Sequence, residues 1–137
     1  MAEYPRLLHT VLDTTQPRAL AEFYRELLGL RYRPGDEPPA DAGEDDVDWL
    51  VLTDEAGNRL LAFQRVDVLR RTTWPHHTVP MQLHVDFTVT NVEELRRHRG
   101  RAEELGARVL VDRTDDPDEP LYVFADPSGH PFCIFVA

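Results

Sequence analysis

The sequence predicts an α+β chain made of one βαβββ module used twice. Three observations carry this. The stretch RLLHTVLDTTQPRALAEFYRELLGL (6–30) reads as a strand, a turn and an amphipathic helix that stops at a glycine. A related stretch, MQLHVDFTVTNVEELRRHRGRAEELGAR (81–108), repeats it about 75 residues later. Leu8 and His9 match Leu83 and His84, and Leu28 and Gly29 match Leu105 and Gly106. The hairpin turns behind the two helices also align, Asp54 with Asp126 and Gly57 with Gly129.

Each element has its own local reason. Leu7 to Thr14 is rich in β-branched and apolar residues, which suits a strand. Pro17 fits the first helical position, where its missing N–H costs nothing. Gln16, a poor capper, or Thr15 precedes it. Leu20, Phe23, Tyr24, Leu27 and Leu28 follow the spacing of one buried helical face. Gly29 supplies the left-handed cap, and Leu30 to Arg33 starts a second strand. Residues 34–48 hold seven acidic residues, three prolines and two glycines, so a solvated loop is expected. Their spacing does not follow a calcium-binding EF-hand loop.

WLVLT (49–53) and RLLAFQRV (59–66) form a hairpin across the turn residues Asp54 to Asn58. Residues 67–80 then separate module one (about 5–66) from module two (about 81–137), and the whole of 1–137 is expected to form a single domain. Trp74 in this segment is read either as packed on the core or as the wall of a lid over a pocket. His76 and His77, in the same proline-flanked loop, are expected to be exposed. Gln82 to Thr88 alternates like a half-buried strand, and Asn91 with Glu94 forms a capping box. Val92, Leu95, Ala102 and Leu105 give the second helix its apolar face. Arg108 to Asp112, Leu121 to Ala125 and Pro131 to Val136 complete the second set of strands.

Composition narrows the function. A net charge of −10 argues against non-specific nucleic-acid or anionic-membrane binding, which needs a basic face. One cysteine, Cys133, allows no internal disulfide and fits a reducing compartment. No apolar run approaches the length of a membrane span, and the N-terminus lacks the build of a signal peptide. A cytoplasmic protein is expected. Phosphate-binding, nucleophile-elbow and zinc-protease motifs are missing.

LLHTVLD, FYRELLGL, the LHVDFTV strand with LGARV behind its helix, and the closing DPSGHPFCIF together span nearly all of the chain. In these motifs the sequence resembles the vicinal oxygen chelate superfamily of glyoxalase I, bleomycin-resistance proteins and extradiol dioxygenases. The resemblance is nearest to the glyoxalase-like branch. It implies paired βαβββ modules whose sheets form an open curved surface around a cavity, and a homodimer. In metal-using members, the first and last strand of each module supply one ligand each. Carried over by residue, His9 and His84 occupy the two first-strand positions and Cys133 the last-strand position of module two. Counting from the turn aspartates puts Leu61 at the matching place in module one. Leucine cannot ligate. Gln64 is the nearest substitute, and it faces inward only if a β-bulge intervenes.

Two function classes follow. In the first, a small-molecule ligand is held without metal or other cofactor, in a pocket lined by His9, Leu61, Phe63, Trp74, His84 and Cys133. In the second, a lyase, isomerase or dioxygenase uses a divalent metal (Zn, Ni, Fe or Mn) on His9 and His84, with Gln64 or Cys133. No carboxylate is apparent at the family's ligand positions, which counts against an iron facial triad. Metal-free acid–base chemistry on His9 or His84 is a third possibility. The first class is the expectation, with no metal bound.

Overall fold

The computed structural model describes residues 3–41 and 45–137; residues 42–44 of the acidic stretch lie outside the described residues. The chain divides into two compact units, 1–69 and 70–137. The boundary falls inside the segment between the modules.

In the first unit the elements run β1 (Thr10–Thr14), α1 (Pro17–Leu28), β2 (Arg31–Tyr32), β3 (Trp49–Thr53) and β4 (Arg59–Arg65). The sheet order is β1-β4-β3-β2. The first strand pairs parallel with the last, and the hairpin strands pair antiparallel. Gln16 caps α1 without a side-chain bond. The nearby Thr14 hydroxyl instead accepts the Gln16 N–H. Gly29 ends the helix at φ 67°, a conformation a Cβ would strain.

Leu20, Phe23, Tyr24 and Leu27 are buried on one side of α1, and Leu12, Leu50, Leu52, Leu61 and Phe63 are buried on the sheet. Tyr24 stacks on Phe63 with ring centroids 6.0 Å apart. These residues make one core between helix and sheet, held by the removal of large apolar side chains from water. The acidic loop is more tied down than its composition suggests. Asp36 accepts the Val51 N–H, and Arg18, lying over the Tyr32 ring, donates to Asp45 and to the Asp36 carbonyl.

The second unit repeats the plan: β5 (Val85–Val89), α2 (Val92–Glu104), β6 (Arg108–Arg113), β7 (Leu121–Ala125) and β8 (Pro131–Val136). The sheet order is β5-β8-β7-β6. Asn91 caps α2 by accepting the Glu94 N–H at 2.9 Å, as its sequence signature requires. Leu95 and Ala102 are buried with Phe124, Phe132 and Ile134. Phe124 and Phe132 stack at 4.9 Å. The loop ahead of this sheet is knotted on itself, because Thr73 and Val79 exchange backbone and hydroxyl hydrogen bonds. Trp74 sits in it, partly exposed.

The two hairpin turns are built alike. Asp54 and Asp126 each accept N–H groups two and four residues on, and each donates its own N–H to the carbonyl four residues on. The hairpins behind them are not alike. In the second, Ala125, Phe124 and Val123 face Pro131, Phe132 and Cys133 with no slip. In the first, Thr53 faces Arg59 but Leu52 faces Leu61, so Leu60 is an extra, bulged residue.

Candidate functional site

That single residue decides which side chains of module one share a face with His9. Side chains alternate between the two faces of a strand, so one inserted residue reverses all that follow. Leu61 and Phe63 consequently turn toward α1 and are buried at 4% and 0% exposure. Their expected place in a pocket is corrected: both are core residues, and Phe63 packs on Tyr24. Ala62, opposite Val11, takes the place that Cys133 holds opposite Asp86. Gln64, opposite Asp13, is exposed on the face away from the helix.

His9 directly precedes β1 and lies against Trp49, with ring centroids 5.8 Å apart. Its Nδ1 is buried without a hydrogen-bond partner. Partial burial lowers its pKa, and Arg59 and Arg33 lower it further. The imidazole is therefore held neutral at pH 7. With Val11, Trp49 and Gln64, it gives module one a surface of apolar and aromatic groups with a few hydrogen-bonding atoms.

In module two, His84 directly precedes β5, and Asp86 follows two residues later on the same side of the strand. Cys133 is the register partner of Asp86 on β8. His84 Nε2 is 3.4 Å from the Asp86 carboxylate. One ligand atom each from His84, Asp86 and Cys133 lies within 4.8 Å of the others. The fold thus brings His84 and Cys133 together as the family positions imply. It adds a carboxylate, Asp86, where none is apparent from the family's ligand positions; its two-residue spacing from His84 is the signal in the sequence.

Burial raises the Cys133 thiol to about 11, and the Asp86 charge, which opposes thiolate formation, adds to this. The thiol is therefore protonated near neutrality, and a metal would have to displace its proton. Asp86→Asn should bring the thiol pKa down, because a neutral amide no longer repels the thiolate. Burial should keep it above the ordinary value of 9.0. The rate of disulfide exchange with an aromatic disulfide, followed against pH, measures the midpoint. An unchanged midpoint would mean that the two groups do not interact.

A family profile described as a glyoxalase-like domain matches residues 9–135. The chain belongs to this family. Solved structures with the same fold include a possible glyoxalase from Bacillus cereus, at 18% identity and TM-score 0.63, covering 94% of this chain and 96% of that one. A glyoxalase/bleomycin resistance protein/dioxygenase family enzyme from Burkholderia phytofirmans has TM-score 0.68 at 14% identity, again over 94% and 96%. The genomically encoded fosfomycin resistance protein of Listeria monocytogenes has TM-score 0.67 at 16% identity, over 98% and 92%. At these identities the likeness is one of fold. No curated protein matches the sequence. Among the described residues of this glyoxalase-like chain, no helix is long and apolar enough to cross a membrane.

Proposed function

We propose that this glyoxalase-like chain binds a small organic molecule on the face of its first sheet turned away from α1, without the family's usual metal set. The supporting observation is in module one. The position equivalent to Cys133 is Ala62, which has no ligating atom, and His9 lies against the Trp49 ring. An apolar or aromatic ligand body suits Val11 and Trp49, with polar anchors at His9 and Gln64. The net negative charge of the chain suits a cationic ligand. The reading includes a homodimer in the cytoplasm.

The test combines metal analysis with ligand binding. Purified protein exposed to Zn²⁺, Ni²⁺, Fe²⁺ or Mn²⁺ and freed of excess should retain far less than one equivalent. A thermal-shift screen should find small molecules whose affinity falls about tenfold or more in Trp49→Ala, the scale of losing a buried aromatic contact. Near one equivalent of metal, lost in His84→Ala, would overturn this reading.

That outcome is the second reading, and the His84, Asp86 and Cys133 cluster favours it. Imidazole, carboxylate and thiolate together fit zinc, and the cysteine disfavours Mg²⁺ or Mn²⁺. A metal there would act as a Lewis acid toward oxygen atoms of a substrate. His84 and Asp86 would hold it, and Cys133 would join after losing its proton.

A further inference from the structure

The second unit carries a recess of about 280 Å³ lined by Arg71, Gly106, Arg108, Ala125, Asp126 and Pro127. It lies at one end of the sheet, where β7 finishes at Ala125 and β6 begins at Arg108, its register partner. None of His9, His84, Asp86 or Cys133 lines it.

The recess is shaped by specific backbone. Arg71 arrives from the loop ahead of the sheet, and its Nη2 donates to the Pro127 carbonyl. Its stem lies over Gly129, where an added Cβ would come within 2.7 Å of the Arg71 Cγ. Gly129 also has φ +96°, so a side chain is disfavoured there twice over. On another side, a Cβ on Gly106 would touch Pro127 at 3.4 Å.

Acidic residues outnumber Lys and Arg in this chain by 25 to 15. Among the described residues, neither Arg71 nor Arg108 lies in a salt bridge. The carboxylate in the lining is Asp126, and it is buried in its turn, with Oδ1 accepting the N–H groups of Ser128 and His130. Two guanidinium groups and one carboxylate leave the recess with one net positive charge. That suits a monoanion better than a dianion. A planar guanidinium also matches a carboxylate with two parallel hydrogen bonds.

The geometry points to a second ligand site here, taking the carboxylate of a small organic monoanion at Arg71 and Arg108, with the apolar part of the molecule against Pro127 and Ala125. Benzoate is a suitable probe, with benzamide as its uncharged counterpart and phenyl phosphate as a dianion. In two-dimensional amide NMR of the full chain, benzoate should shift the Gly106, Ala125 and Asp126 signals saturably. Arg108→Gln and Arg71→Gln should each weaken it about tenfold or more, the scale of one lost charge-assisted bond. Both arginines are exposed, so the variant spectra should stay dispersed; Arg108→Gln alone suffices if Arg71→Gln disturbs its loop. Benzamide should give no saturable shift. Absence of saturation by benzoate up to roughly 50 mM, the weak end of measurable affinity, would overturn the proposal. So would binding indifferent to both substitutions, or tighter binding of phenyl phosphate than of benzoate.

Discussion

Phe63→Ala is expected to destabilise the first unit by about 3–5 kcal/mol, the cost of emptying a large, fully buried aromatic site. Phe63 has no exposed surface, stacks on Tyr24 and faces Leu12 and Leu50 across its neighbouring strands. Its removal strips contacts from both helix and sheet. Folded domains have only about 5–15 kcal/mol in hand, so the loss is a large fraction of the whole. Urea unfolding followed by far-ultraviolet circular dichroism measures it. Phe63→Leu should lose about 1–2 kcal/mol and keeps the comparison available if the alanine variant does not fold. Val11→Ala, on the opposite face and 37% exposed, should lose less than about 1 kcal/mol. A Phe63→Ala loss as small as that of Val11→Ala would mean that Phe63 lines a ligand surface after all.

Inserting one alanine between Leu61 and Ala62 should be just as damaging. Leu60 is the bulged residue between the pairs Thr53–Arg59 and Leu52–Leu61. A further residue beyond it reverses the faces again, so Phe63 would swing to the far face and Gln64 would turn toward the core. The strand must then bury an amide or break its pairing with β1. Loss of cooperative unfolding in the first unit is the expected result. Deleting Leu60, 43% exposed, is the contrasting case. Leu61 then follows Arg59 directly, and the pairs Leu52–Leu61 and Leu50–Phe63 persist without the bulge. That deletion should cost far less than the insertion. If the insertion proves as mild as the deletion, the strand absorbs the extra residue and residue count does not set orientation.

Much of this molecule was legible from residue order. The repeat, the two helices with Gly29 and Gly106 behind them, the Asn91 cap and the paired aspartate turns all rest on local chemistry. Helical spacing, capping and turn formation are decided within a few residues, so the sequence carries them openly. Even the limits of the strands 49–53, 121–125 and 131–136 agree with the turn residues around them. The matches to His9, His84 and Cys133 were legible too, because the motifs that carry them are close to fixed landmarks.

What only the tertiary structure decided is parity and proximity. Counting from Asp54 put Leu61 where Cys133 stands, but a bulge adds one residue without leaving a composition signal. Leu60, Leu61 and Ala62 are all apolar, so the pattern there does not alternate and cannot report which way each side chain turns. The bulge moved Leu61 and Phe63 into the core and left Gln64 on the other face. Asp86 lies two residues beyond His84, yet its meeting with Cys133 depends on the parallel pairing of β5 with β8, whose partners are some 47 residues apart in the chain. Arg71 and Arg108 meet at one recess for the same reason: loop and sheet end converge only after the chain has folded. Local sequence fixes which elements form; which side chains come to share a surface is set by long-range pairing and register.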